Sequence, residues 1–126
     1  NARTDLQSAL TIAQLSAGLV QEVWVAQGTY TPGAAPERAR RFQLSSGVAL
    51  YGGFAGDETD LPQRDWRAHP TILAGDLLAD DAPNFTNIAD NSVSVVWSSY
   101  TDSTASMDGF FIQGGACTFD TLRCRV

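Results

Sequence analysis

Four aspartates follow one another closely in the middle of the chain: Asp76, Asp80, Asp81 and Asp90. Calcium prefers several carboxylate and carbonyl oxygens at about 2.3–2.6 Å, and a domain that contacts acidic sugars through calcium would need such a cluster. The spacing matches neither an EF-hand loop nor an Asp/Gly repeat. The pattern therefore favours a solvated acidic loop and keeps calcium as the alternative. No other cofactor is predicted.

Three aromatic residues, Trp24, Trp97 and Tyr100, could form a face on which sugar rings stack. Trp24 and Trp97 lie within predicted strands, so buried or half-buried positions are the competing interpretation. A hydrolase needs a paired acid and base about 5–10 Å apart, and the fourteen acidic residues single out no such pair. No nucleophile beside a base is evident either. No catalytic residue is predicted, and a noncatalytic role is favoured over an enzyme.

Composition narrows the class of protein. The 126 residues are 44% hydrophobic and 17% charged, which is typical of one globular domain over 1–126. The net charge of -6 repels phosphate backbones, so nucleic acid is excluded as a partner. No apolar run approaches the 18 or more residues of a membrane span. Cys117 and Cys124 are the two cysteines, and either a disulfide or a pair of free thiols fits them.

A helix is predicted over residues 4–17. Thr4 and Gln7 have the spacing of a capping box, and Gly18 follows as a natural stop. Leu6, Leu10 and Ala13 recur at helical intervals and predict one apolar face.

Short apolar runs after the helix predict strands over 22–26, 41–44, 48–51, 71–73, 92–97 and 107–112. Glycines follow several of them about every 20 to 24 residues, which is typical of solenoid coils. The sequence therefore predicts a mainly β fold, a short right-handed parallel β-helix of about five coils over 22–115, with the helix capping its first coil. The glycines assigned to the corners of the coils are Gly28, Gly52, Gly53, Gly75 and Gly114.

The mixed-charge stretch over 57–67 contains Arg64, Asp65 and Trp66. We interpret it as a structural turn in which carboxylates hydrogen-bond to arginines and Trp66 packs beneath.

Several runs, DLQSAL, EVWVAQGTYTP, FQLSSGVALYGGFAGDETDLPQRDW, TILAGD and MDGFFIQGG, resemble the N-terminal portion of bacterial right-handed parallel β-helix proteins of the pectin-lyase-like superfamily. The resemblance covers residues 4–115 and departs in the tail over 116–126. It implies a secreted or cell-surface scaffold that is adhesive or contacts polysaccharide. The alternative is part of a polysaccharide lyase or glycoside hydrolase, whose catalytic groups the family places on later coils.

The last coil should expose an apolar end that the helix does not cover. We therefore expect the chain to pair with itself through this C-terminal end, unless the tail folds over it.

Overall fold

A computed structural model describes residues 5–116 as one α-helix, eight short strands and two single turns of 3-10 helix. The helix α1 is Leu6–Leu15. The strands, in chain order, are β1 (Glu22–Ala26), β2 (Gly28–Tyr30), β3 (Phe42–Gln43), β4 (Ala49–Phe54), β5 (Thr71–Ala74), β6 (Val96–Trp97), β7 (Ser106–Asp108) and β8 (Phe110–Gln113).

The N-cap of the helix lies one residue later than predicted. Asp5 is the N-cap, and its carboxylate accepts hydrogen bonds from the backbone N–H groups of Gln7 at 3.1 Å and Ser8 at 3.3 Å. Thr4, the predicted N-cap, lies outside the described residues, and the Gln7 amide nitrogen donates to the carbonyls of Pro32 and Arg41. Gln7 thus ties the first turn to a distant segment of the chain.

The strands form three small parallel sheets. The first sheet has the order β1-β4-β7, the second has the order β2-β5-β8, and the third pairs β3 with β6. Every strand therefore pairs with a strand far along the chain, as parallel pairing requires. Within residues 5–116, the first and last strands of each sheet have one edge that pairs with no other strand.

The predicted parallel β-helix of about five coils is wrong. The strands form three separate small sheets, none of which is closed or curled, and no sheet among the described residues has more than three strands. The single strand predicted over 107–112 is divided at Gly109 into β7 and β8, which belong to different sheets. The predicted strand over 92–97 contributes only Val96 and Trp97.

The even spacing of the glycines predicted repeated coils, but these glycines do not occupy equivalent positions in the structure. Gly28 begins β2, Gly52 lies inside β4, and Gly75 follows β5, so the three belong to two different sheets. Gly52 and Gly75 each lie against another glycine, whereas Gly28 lies beside the Tyr30 ring. A Cβ on Gly52 would lie 2.5 Å from the carbonyl oxygen of Gly109, and a Cβ on Gly75 would collide with the carbonyl oxygen of Gly114.

The core lies between α1 and the inward faces of the sheets. Leu6, Leu10 and Ala13 are buried, as their helical spacing predicts. α1 packs against β1 and β3, the first strands of two sheets. The remaining buried members of the core are Val25, Phe42, Val48, Leu50, Leu73 and Val95.

Candidate functional site

The outer face of β1 carries a polar and aromatic pair. Along this strand Val25 is buried, whereas Glu22 and Trp24 point outward, as the two-residue repeat of a strand dictates. Trp24 remains 38% exposed and stacks on Phe54 of β4, with ring centroids 4.8 Å apart and planes 9° from parallel. Its indole N–H donates to a Glu22 carboxylate oxygen at 2.9 Å, which holds the ring in place.

A cavity of about 710 Å³ opens beside this pair, between α1 and β1. We call it the Trp24 groove. Tyr30 contributes a phenol that donates to the Ala26 carbonyl at 3.1 Å, and burial raises its pKa. The residues that line the groove are Asp5, Leu6, Ala9, Ile12, Val20, Glu22, Val23, Trp24, Val25, Ala26, Tyr30, Phe54, Gly56 and Glu58.

Two carboxylates of the Trp24 groove are held by hydrogen bonds. Glu58 accepts from the backbone N–H groups of Ala55 at 2.6 Å and Gly56 at 2.9 Å, and these bonds lower its pKa. The pKa of Asp5 is lowered chiefly by the Ser8 hydroxyl, 2.6 Å away. Both groups are therefore ionised at neutral pH, and the groove has a negative rim.

The three aromatic residues of the predicted face do not all border the Trp24 groove. Trp24 lines the groove, but Trp97 and Tyr100 do not. Trp97 lies on β6 of the third sheet, where the Arg41 guanidinium covers its ring at 4.0 Å. Tyr100 is fully exposed on a loop. Sequence reasoning missed Phe54 and the groove carboxylates, although the spacing of Glu22 and Trp24 in one strand already put both on one face.

The acidic residues form a cluster on the loop between β5 and β6. Ligand atoms of Asp76, Asp80 and Asp81 all lie within 4.8 Å of one another. Asp90, the fourth predicted member, is outside this group and accepts from the Leu78 N–H at 2.9 Å. The pKa of Asp80 is raised, first by partial desolvation in the loop and then by repulsion from Asp90, Asp76 and Asp81.

The loop also holds the cluster by backbone hydrogen bonds. The Asp76 carboxylate accepts from the N–H groups of Asp80 at 3.1 Å and Asp81 at 3.0 Å. The Asn91 side-chain nitrogen donates to Asp81 Oδ2 at 2.8 Å. Asn91 is 1% exposed, and its Oδ1 has no hydrogen-bond partner among the described residues.

The turn around Trp66 differs from its prediction. The Arg64 side chain extends away from the turn, and its guanidinium binds the Gly52 carbonyl at 3.1 Å and the Asp108 carboxylate at 3.1 Å. Asp65 accepts from the backbone N–H groups of Arg67 and Ala68 rather than from an arginine side chain. Trp66 is 40% exposed, with Arg67 over its ring. This segment connects β4 of the first sheet to β5 of the second. Gly53 provides room for it, since a Cβ there would meet the Trp66 backbone at 2.6 Å.

At the far edge of the second sheet, β8 exposes Phe111 and Ile112. The expected self-association at this end stays a prediction. The cysteines Cys117 and Cys124 and the tail beyond Ala116 lie outside the described residues.

The described part of the chain contains no helix with the length and apolar character that a bilayer crossing requires. Comparison with protein-family models, with curated proteins and with solved structures finds no match. The resemblance to pectin-lyase-like proteins therefore stays a prediction.

Proposed function

We propose that the chain is a noncatalytic carbohydrate-contact module whose ligand site is the Trp24 groove. The observation that carries the proposal is the combination, in one cavity of about 710 Å³, of a partly exposed Trp24 ring stacked on the buried Phe54 and of carboxylates held by hydrogen bonds. Aromatic rings suit the apolar C–H faces of pyranoses, and carboxylates accept hydrogen bonds from sugar hydroxyls. We also propose the secreted or cell-surface location that the resemblance described above implies.

The charge of the groove favours a neutral sugar over an acidic one. Asp5, Glu22 and Glu58 all border the cavity, and the whole chain has a net charge of -6. A uronic acid carboxylate would meet like charges at close range, which weakens binding. The proposed ligand is therefore a neutral oligosaccharide.

The ionised state of the groove carboxylates Asp5 and Glu58 supports sugar binding rather than glycoside hydrolysis. A glycosidase needs one carboxyl group whose pKa is raised, so that it stays protonated and acts as a general acid. The pKa values of Asp5 and Glu58 are lowered, because both carboxylates accept hydrogen bonds. The alternative function, a polysaccharide lyase or hydrolase, gains no support at this groove.

A glycan array that carries neutral and acidic oligosaccharides tests the proposal. We expect neutral glycans to bind, and calorimetry with the best of them should show about tenfold or more weaker affinity for Trp24→Ala. Tyr100→Ala is the matched control, because this exposed aromatic side chain lies outside the groove.

Glu22→Gln is a second variant that retains both aromatic rings, and we expect it to weaken binding several-fold. Circular dichroism verifies that each variant is folded. Binding of no glycan, or an equal loss in the Trp24 and Tyr100 variants, would overturn the proposal. Release of reducing ends or unsaturated products from the same glycans would favour the enzyme alternative instead.

A further inference from the structure

The last strands of the first and second sheets lie side by side. These strands are β7 and β8, which follow one another in the chain and are joined at Gly109. Within residues 5–116 no strand pairs with the outer edge of either. We call residues 106–113 the β7–β8 edge. At the other side of the first sheet α1 packs against β1, so the helix does not cover this edge.

The core is open at the β7–β8 edge. Ile112 is in register with Leu73, and Met107 is in register with Leu50, so both continue inward-facing rows of the core. Leu50 and Leu73 are 1% and 0% exposed, whereas Ile112 is 54% exposed and Met107 is only partly buried. Apolar side chains that continue a core and yet remain exposed indicate that another surface packs against them.

The β7–β8 edge has almost no charge. Of the 8 basic and 14 acidic residues of the chain, residues 92–116 contain only Asp102 and Asp108. Asp108 forms a salt bridge with Arg64 at 3.1 Å. Proteins protect exposed strand edges from pairing with lysines, prolines and unpaired charges, and residues 106–113 contain none of these. The edge therefore lacks the features of one that stays exposed to water.

We propose that the β7–β8 edge is an interface between two copies of this chain, in which β8 of one copy pairs antiparallel with β8 of the other across a two-fold axis. A two-fold interface brings the same surface of both copies together, so that surface must be complementary to itself. A strand edge is self-complementary, because its N–H and C=O groups pair with those of an identical strand that runs in the opposite direction.

Charge favours a second copy as the occupant of this edge. The net charge of the chain is -6, so two copies repel each other over most of their surfaces. At the β7–β8 edge the one carboxylate is paired with Arg64, and two copies can approach there without this repulsion. A basic partner would be drawn to the acidic surfaces elsewhere, and an acidic partner would be repelled by the chain as a whole. The proposal does not depend on the Trp24 groove, which shares no residue with the edge.

Sedimentation velocity of the whole chain, from about 1 µM to about 1 mM, tests the proposal. We expect a monomer at the lowest concentrations and a dimer, without larger species, at the highest. Hydrogen exchange at both extremes then locates the interface. The amides of β8 should exchange about tenfold or more slowly in the dimer, because strand pairing protects N–H groups. The amides of β1 should exchange at the same rate in both states.

Ile112→Lys should weaken dimerisation about tenfold or more, because it places a charge in the apolar interface. Leu15→Lys is the matched control, since it adds the same charge at another exposed apolar residue, on α1, and should leave dimerisation unchanged. Gln113→Glu is a second variant, which retains the length of an exposed side chain of β8. It should weaken dimerisation more at low salt than at high salt, because it brings like charges together. Circular dichroism verifies that each variant is folded.

A monomer at every concentration would overturn the proposal, as would an equal loss of dimer in Leu15→Lys. Slow exchange of the β8 amides in the dilute monomer would show that another part of the same chain covers the edge, and would also overturn it. Oligomers that keep growing with concentration would contradict the two-fold arrangement, because such an interface closes at two copies.

Discussion

At the scale of single residues, one buried hydroxyl joins three strands. Thr71, the first residue of β5, has no exposed surface. Its Oγ1 accepts from the Gly53 N–H of β4 at 2.9 Å and donates toward the β1 carbonyls of Val25 and Ala26 at 3.4 and 3.3 Å. The threonine hydroxyl thus supplies a hydrogen-bond partner for buried backbone groups at the boundary between the first and second sheets.

We expect Thr71→Val to lower the free energy of unfolding by about 1–3 kcal/mol, because valine has the same shape but leaves the buried Gly53 N–H without an acceptor. Urea denaturation followed by circular dichroism measures the change. Thr29→Val, the same replacement at an exposed position of β2, should change the value by less than about 0.5 kcal/mol. Equal effects of the two replacements would refute this role of the hydroxyl.

At the scale of elements, the backbone of β4 lies directly against the backbone of the corner between β7 and β8, with no side chain between them. Gly52 of β4 lies against Gly109, the residue between β7 and β8. Arg64 spans the same place, since its guanidinium binds the Gly52 carbonyl and the Asp108 carboxylate. A side chain at Gly52 would therefore push β4 away from the β7–β8 corner.

We expect Gly52→Ala to destabilise the protein by about 1–3 kcal/mol, because the new Cβ would lie 2.5 Å from the Gly109 carbonyl oxygen, and backbone cannot yield as a flexible side chain can. Gly115→Ala is the control, since its nearest neighbour, Val95 Cγ2, would be at an ordinary 3.4 Å. Thermal unfolding of both variants gives the comparison. A Gly52→Ala protein as stable as the Gly115→Ala protein would contradict the observed packing.

At the scale of the whole molecule, the ionised carboxylates link stability to pH. Hydrogen bonds lower the pKa of four carboxyl groups: Asp5, Glu58, Asp65 and Asp102. A group whose pKa is lower in the folded than in the unfolded state stabilises the fold above its unfolded pKa, and this contribution is lost as pH falls through the folded value. Asp80 has a raised pKa and acts in the opposite direction.

With four groups against one, we expect the melting temperature to fall as pH drops from about 5 to about 3. Circular dichroism at constant ionic strength measures this dependence. Glu58→Gln should reduce the fall. The Glu58 carboxylate weakens its hydrogen bonds from the Ala55 and Gly56 N–H groups when it is protonated, whereas the glutamine amide does not titrate. Asp57→Asn is the control and should leave the fall unchanged, because Asp57 is exposed and its side chain makes no hydrogen bond with the described residues. A melting temperature that is constant or higher at pH 3 would show that these hydrogen bonds do not govern acid stability.

Local pattern by itself determined the helix and most of the strand segments. Leu6, Leu10 and Ala13 meet on one face because helical geometry repeats within a few residues, and that repeat is visible in the sequence. Glu22 and Trp24 share a face of β1 for the same kind of reason, since alternation is a property of a single strand. The composition of the acidic loop also made its aspartates candidates for a cation.

Only the tertiary structure decided which strands pair, and with that the fold and the groove. Strands of two to six residues carry too little pattern to specify partners far along the chain, so evenly spaced glycines suggested coils that do not exist. Trp24 meets Phe54, and the Asn91 amide meets Asp81, through contacts between separate segments. Such contacts depend on how the sheets pack, because burial and close approach are properties of the assembled chain rather than of any one segment.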